Sequence, residues 1–180
     1  MNSELPTDDL SLLAFGQGRS YGDVCLNNDQ CLLLTRRLRA IELDSNRSTL
    51  SCEAGATLDE ILRTIVPDGF FLPVTPGTKA VTVGGAIAND VHGKNHRDAG
   101  SFGHHVRSFV LLRSSGERLT CSRDENSELF RATIGGLGLT GLILSAEIDL
   151  LPISSPRIVG TVERVSAIDE LLERAASSSA

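Results

Sequence analysis

The stretch PGTKAVTVGGAIANDVHG, residues 76–93, combines the features that decide the fold. Pro76–Gly77 is a turn pair, Thr82 is a candidate helix cap, and Gly84–Gly85 remove two side chains before a helix-compatible run. A helix that begins in this way can present backbone N–H groups to a phosphate. Alternatively, the two glycines only allow the helix to pack closely, and the stretch alone favours neither interpretation.

A second glycine-rich segment, GQGRSYGD at residues 16–23, follows the short apolar run Leu12–Phe15. This order predicts a buried strand that opens into a glycine loop. The GxGxxxG spacing and the absence of a following amphipathic helix argue against a Rossmann site. Successive N–H groups in such a turn can still hold a phosphate, and Arg19 would add charge while Ser20 and Tyr21 add hydroxyls. A plain turn between strands is the alternative.

The remaining sequence predicts strands and short helices. Thr57 and Glu60 have the spacing of a capping box at the start of an amphipathic helix. Further predicted elements are a buried strand at 31–35, hairpins around 44–47 and 114–116, a short helix within 125–136, a long alternating strand at 142–150, one more strand after Pro152 and a final helix.

Composition limits the class of partner. The net charge of −6 and the lack of a long basic cluster argue against nucleic acid or an anionic membrane, and favour a small ligand. No apolar run is long enough to span a bilayer, and the acidic start MNSELPTDDL has no region typical of a signal peptide. The sequence therefore predicts a soluble, cytosolic protein.

All four histidines lie within residues 89–105 and suggest a metal site at first sight. His92 and His96 have the i, i+4 spacing that places two imidazoles on one helix face. Gly93 is a poor helix former, Lys94 would repel a cation, and there is no HExxH glutamate, so we expect no metal. The four cysteines form no CxxC pair, which indicates free thiols.

Three segments, at residues 16–23, 76–103 and 132–141, together resemble the FAD-binding domain of the vanillyl-alcohol-oxidase/PCMH flavoenzyme superfamily. The resemblance is specific because the three motifs agree in order and spacing. It implies an α+β, PCMH-type fold with two mixed or antiparallel sheets, flanking helices, and FAD held between two subdomains. Residues 10–152 would form this domain without its first strand–helix unit, and residues 153–180 would begin a truncated C-terminal substrate domain.

The resemblance also implies roles for individual residues. FAD would be bound non-covalently, because Tyr21 stands in the glycine loop where relatives with covalent flavin often have a histidine. Lys94 would face the substrate as the catalytic candidate, where an ammonium can hold a phosphate-linked sugar. The implied cofactor-binding residues are Gly16, Gln17, Gly18, Arg19, Ser20, Tyr21, Gly22 and Asp23 at the pyrophosphate, with Gly77, Thr82, Val83, Gly84 and Gly85; Asn89, Asp90, Val91 and His92 at the isoalloxazine; and Ile143 at the adenine side.

Within the superfamily, residues 90–108 are most similar to enzymes that oxidise a polyprenylphosphoryl ribose. The resemblance implies hydride transfer from the ribose C2 to flavin, which leaves a 2-keto sugar in cell-wall arabinan biosynthesis. An NADH-dependent ketoreductase would be the pathway partner, and a membrane-surface or periplasmic location stays open. Two alternatives are an oxygen-using aldonolactone or alditol oxidase, and a truncated FAD-binding remnant without catalytic activity.

Overall fold

The computed structural model describes residues 11–177, so the expected domain start at residue 10 and the acidic segment before it lie outside the described residues. The described chain folds into nine strands and five α-helices, most of them short. In chain order these are β1 (Leu12–Phe15), β2 (Cys31–Leu34), β3 (Ile41–Asp44), β4 (Thr49–Glu53), α1 (Leu58–Ile65), β5 (Phe70–Phe71), α2 (Val83–Ala88), α3 (His96–Ala99), β6 (Val106–Leu112), β7 (Arg118–Ser122), α4 (Ser127–Thr133), β8 (Leu142–Asp149), β9 (Leu151–Pro152) and α5 (Ile168–Ser177).

A five-stranded antiparallel sheet in the order β3-β4-β8-β6-β7 forms the centre of the described chain. Both predicted hairpins, β3–β4 and β6–β7, are present, and β8 joins them by pairing with β4 and β6. Two small sheets accompany it: β1 and β2 pair in parallel, and β5 pairs with β9. The α+β arrangement with antiparallel strands is confirmed, and the described residues form one large sheet and two strand pairs.

Helix α1 covers one face of the large sheet. It begins at the predicted capping box: Glu60 N–H donates to the Thr57 hydroxyl at 3.3 Å, and Thr57 N–H donates to the Glu60 carboxylate at 2.9 Å. Its buried residues Ile61 and Ile65 belong to the same core cluster as Phe109 of β6. Burial of such side chains stabilises each by about 1.5–3 kcal/mol, so the sheet and α1 form a rigid support.

The strand pair β1–β2 forms a separate thin layer. A side chain on Gly55 would collide with the Thr35 carbonyl oxygen, which shows that the segment after β2 lies directly on the end of β4. The sequence predicted β1 and β2 as buried strands, but β1 is half-buried and Leu34 of β2 is exposed. Leu32 and Leu34, which alternate along β2, are both exposed, so this face of the strand is open to solvent.

Two predictions for the second half of the chain need correction. The alternation along β8 breaks at Ile143, which is buried, because the β6–β8 register shifts between Val110 and Leu111 and leaves Leu144 outside the pairing. The strand expected after Pro152 is absent from residues 153–166, whereas the final helix is present as α5. Among the described residues, no helix has the length and apolarity needed to cross a membrane.

Candidate functional site

A cleft of about 890 Å³, which we call the main cleft, lies between the loop after β1 and the start of α2. Its other walls are the segments 71–77, 91–95 and 133–143. This volume is at the upper end of the range for small-molecule pockets, about 300–1,000 Å³. The cleft therefore has room for an extended ligand.

Most of the residues that the sequence analysis implicated in binding are found in the lining of this cleft. Gly22, Asp23, Val83 and Asp90 do not line it; Val83 is fully buried, whereas Gly22 and Asp23 are exposed. The residues that do line it are Gly16, Gln17, Gly18, Arg19, Ser20, Tyr21, Gly77, Thr82, Gly84, Gly85, Asn89, Val91, His92, Lys94 and Ile143.

The glycine loop after β1 presents its backbone to the cleft. Gly18 has φ +60°, a left-handed conformation that favours glycine. A Cβ on Gly16 would lie 2.4 Å from the Thr82 hydroxyl oxygen, so the loop rests directly on the start of α2. Among the described residues, the N–H groups of residues 17–21 have no protein acceptor. Unpaired N–H groups in one loop are suited to an anion.

The first N–H groups of α2 have acceptors within the protein. Val83 and Gly84 donate their N–H groups to carbonyl oxygens in segment 54–56, at 2.9 and 2.8 Å. Gly85 N–H donates to the Thr82 hydroxyl at 3.2 Å, and the next amide donates to the Thr82 carbonyl at 2.8 Å. These first-turn N–H groups are therefore not presented to a phosphate. Gly84 serves close packing, since a Cβ there would lie 3.1 Å from the Ala54 Cβ.

The charge of the main cleft is opposite to that of the chain. Arg19, His92 and Lys94 line it, whereas none of the Asp or Glu residues that the structure describes does. The whole sequence has 23 acidic residues and a net charge of −6. Neither Arg19 nor Lys94 forms an ion pair within residues 11–177. The cleft is therefore an anion-attracting site on an acidic protein.

The segment after α2 runs along one wall of the cleft. Asp90 adopts φ +41°, and its carboxylate accepts the Gly103 N–H at 2.9 Å, so it binds the neighbouring turn. The Asn95 side chain donates to the Pro73 carbonyl at 2.9 Å and fixes the other end of the segment. His92 precedes α3, which begins at His96, and the two imidazole rings meet edge to face with their centroids 5.4 Å apart.

The third glycine motif wraps the C-terminal end of α2. Gly135 N–H donates to the Ile87 carbonyl at 3.0 Å, and Leu137 N–H donates to the Ala88 carbonyl at 2.8 Å. This turn places Leu137 in the cleft wall. Sequence reasoning missed Leu137, although a large apolar residue between glycines in GGLG could have indicated it.

An ion pair outside the cleft supports its floor. The Lys79 ammonium forms an ion pair with the Asp59 carboxylate at an N–O distance of 2.6 Å, and this contact, followed by the charge of Arg63, holds the pKa of Asp59 below its ordinary value. The backbones pair as well: Asp59 N–H donates to the Lys79 carbonyl at 3.0 Å. The starts of α1 and α2 are thus linked into one unit.

Comparison with known proteins identifies one matching family and several related enzymes. The FAD-binding domain family matches residues 4–122. Decaprenylphosphoryl-β-D-ribose oxidase of Mycolicibacterium smegmatis is 42% identical over 163 residues, which are 89% of this chain and 35% of that protein. L-gulonolactone oxidase of Scyliorhinus torazame is 26% identical over 137 residues, 76% of this chain and 31% of that protein. Δ(24)-sterol reductase of Homo sapiens is 29% identical over 113 residues, 62% of this chain and 22% of that protein. The chain spans about a third of the length of the first relatives.

Proposed function

The chain belongs to the FAD-binding domain family, whose cofactor is FAD, and we propose that it is the cofactor-binding part of an oxidoreductase that oxidises the 2-hydroxyl of a polyprenylphosphoryl ribose. The observation that carries this proposal is the main cleft, which combines unpaired loop N–H groups with basic side chains and contains no described carboxylate. The similarity to the decaprenylphosphoryl-β-D-ribose oxidase supports the choice of substrate.

The residues present fit FAD. A pyrophosphate needs N–H donors and positive charge, which the loop at residues 17–21 and Arg19 offer together. The rings need apolar walls, and Val91 and Ile143 supply part of them. A cleft near 890 Å³ also suits a ligand of this length. Tyr21 in the glycine loop supports non-covalent attachment, because its hydroxyl is not the imidazole that flavin-linked relatives use.

When bound, FAD would supply the two-electron acceptor: the C2 hydrogen of the ribose would leave as a hydride to the flavin and the hydroxyl proton would pass to water, so that a ketone remains. The protein's part is to bind and orient both molecules. Arg19 and the neighbouring loop amides hold the pyrophosphate, Asn89 and His92 lie beside the ring system, and Ile143 covers the adenine side. These roles are proposals that rest on the placement of the residues around the cleft.

We assign Lys94 to the substrate side. It is exposed, it lines the cleft two residues after His92, and no described carboxylate pairs with it. An unpaired ammonium at this place can bind a phosphate linked to a sugar and can stabilise negative charge that develops on the ribose oxygen. The 2-keto product would then pass to a separate NADH-dependent ketoreductase.

A second candidate is an oxidase of sugar lactones. It is favoured by the 26% identity to L-gulonolactone oxidase and to the D-arabinono-1,4-lactone oxidase of Yarrowia lipolytica. The higher identity of the ribose oxidase ranks the lipid-linked sugar first. A domain that binds FAD without turnover is the third candidate.

The test is anaerobic reduction of flavin by candidate substrates. The purified chain, loaded with FAD, is mixed with decaprenylphosphoryl ribose or with L-gulono-1,4-lactone, and the loss of flavin absorbance is followed. We expect bleaching by the ribose lipid, slowed about 100-fold or more in Lys94→Ala while the Kd for FAD changes less than about threefold. In Arg118→Ala, which removes an exposed cation outside the cleft, the flavin should be reduced at the parental rate.

Each contrary result has a distinct meaning. Bleaching by the lactone alone, together with oxygen consumption in air, would support the lactone oxidase. FAD that stays oxidised with both substrates would support FAD binding without turnover. A Lys94→Ala variant that loses FAD but keeps its reduction rate would overturn the assignment of Lys94 to the substrate.

A further inference from the structure

Leu137 has a backbone conformation that its side chain disfavours. Its φ is +53°, in the left-handed region, where a residue with a branched or bulky side chain is strained. The other non-glycine residues with positive φ in the described chain are polar ones of the kind found at turns: Asp29, Ser48, Asp90 and Asn126. Leu137 is thus the one large apolar residue held there among residues 11–177.

The turn itself does not require a leucine. Gly135 and Gly138, on either side, have φ +70° and +81°, so the sequence uses glycine at the other left-handed positions of this turn. The Leu137 N–H donates to the Ala88 carbonyl at 2.8 Å, and this bond would be made equally by glycine or asparagine. The hydrogen bond therefore fixes the strained conformation but does not explain the side chain.

The protein core does not require it either. Leu137 is 44% exposed and lies outside the buried cluster, so its side chain gains little from packing in the free protein. The conformation places Leu137 in the wall of the main cleft, which Gly138 and Ile143 also line. A strained, partly exposed residue in the wall of a ligand cleft points to a role in binding.

From this geometry we infer that Leu137 is a cofactor-contact residue, whose side chain packs against a planar ring of the bound dinucleotide. The inference rests on the proposed function and adds to it a contact that the sequence motifs did not assign. Apolar contact with a ring removes the exposed part of the leucine from water, and this stabilises the complex while leaving the free protein unaffected. The strain in the free protein is offset only when the ligand is bound.

The test compares the stability of the cofactor-free protein with its affinity for FAD. Leu137→Asn relieves the strained φ and removes the apolar contact, and Leu137→Ala removes the contact but retains the strain. Leu139→Ala is the control, since Leu139 is 86% exposed, lies two residues away and does not line the cleft. We expect Leu137→Asn to raise the Tm of the cofactor-free protein by about 2–4 °C. Both Leu137 variants should weaken FAD binding about tenfold, and Leu139→Ala should change neither quantity.

Binding of half-ligands identifies which ring is contacted. If the side chain packs on the flavin, Leu137→Asn weakens FAD and FMN binding but not ADP binding; if it packs on the adenine, FAD and ADP are weakened but FMN is not. Parental FAD affinity in both Leu137 variants would overturn the inference. So would a Tm of cofactor-free Leu137→Asn below that of the parent, since it would show that Leu137 is a packing residue. A parent chain that binds no FAD would instead remove the proposed function, and this inference with it.

Discussion

The close contact between Gly16 and Thr82 makes Gly16 a sensitive position at which to perturb the cleft. A Cβ at Gly16 would lie 2.4 Å from the Thr82 hydroxyl oxygen, and ordinary contacts begin at 3.4 Å, so Gly16→Ala requires a shift of about 1 Å. Thr82 is 3% exposed, and its hydroxyl accepts the Gly85 N–H that caps α2. Rotation of the Thr82 side chain would break this capping hydrogen bond, and loss of such a cap lowers stability by about 0.5–2 kcal/mol.

We therefore expect Gly16→Ala to lower the free energy of unfolding by about 2 kcal/mol, through the lost cap and local overpacking. For a chain of this size the Tm should fall by roughly 4–8 °C. Thermal unfolding and denaturant titration of the cofactor-free protein measure this directly. FAD affinity should fall as well, because the displaced loop carries the unpaired N–H groups of the cleft.

Gly77→Ala is the control for this experiment. Gly77 also lines the cleft, but a Cβ there has no neighbour within 4 Å. In the double variant Gly16→Ala/Thr82→Ala the clashing hydroxyl is gone. Gly16→Ala should therefore lower the free energy of unfolding clearly less in the Thr82→Ala background than in the parent. Equal destabilisation by the two glycine variants, or strict additivity in the double variant, would refute the proposed contact.

Three further predictions concern other parts of the chain. Burial raises the pKa of Cys52 to about 12, so a thiol reagent at pH 8 should label the half-buried Cys25 and leave Cys52 unmodified until the protein unfolds. The pKa of Asp59 is lowered in the folded state, so the stability that this carboxylate contributes is present above its unfolded pKa and is lost as the pH falls through its folded pKa. The urea midpoints of the parent and of Asp59→Asn should therefore converge as the pH is lowered. Asp90→Ala should lose the bond to Gly103 and destabilise the protein by about 1–3 kcal/mol in denaturant titration, whereas Asp90→Asn, which keeps an acceptor oxygen and tolerates φ +41°, should retain most of the stability.

Local features of the fold were predictable because the physics that sets them is local. The capping box at Thr57 and Glu60 depends on a spacing of three residues, and both hairpin turns follow from residues inside the turn. The position of Ile143 on β8 was not predictable from alternation alone. It depends on a register shift against β6, which involves residues some 30 positions away in the chain.

In the candidate site, too, local motifs were predictable from the sequence and contacts between distant segments were not. The glycine motifs and the basic residues Arg19 and Lys94 indicated which segments meet, and the cleft brings them together. Sequence could not reveal that the first N–H groups of α2 are occupied, because their acceptors in segment 54–56 come from another part of the chain. Nor could it show that Asp90 binds Gly103 across an unrelated turn.

The most direct measurement is titration of the purified chain with FAD, followed by flavin fluorescence anisotropy. We predict one FAD per chain, with affinity reduced about tenfold or more in Arg19→Glu, because this charge reversal places a carboxylate beside the pyrophosphate. Arg118→Glu makes the same charge change on an exposed residue of β7 outside the cleft, and should bind like the parent. Absence of binding by the parent, or equal loss in the two variants, would contradict the assignment of the main cleft as the FAD site.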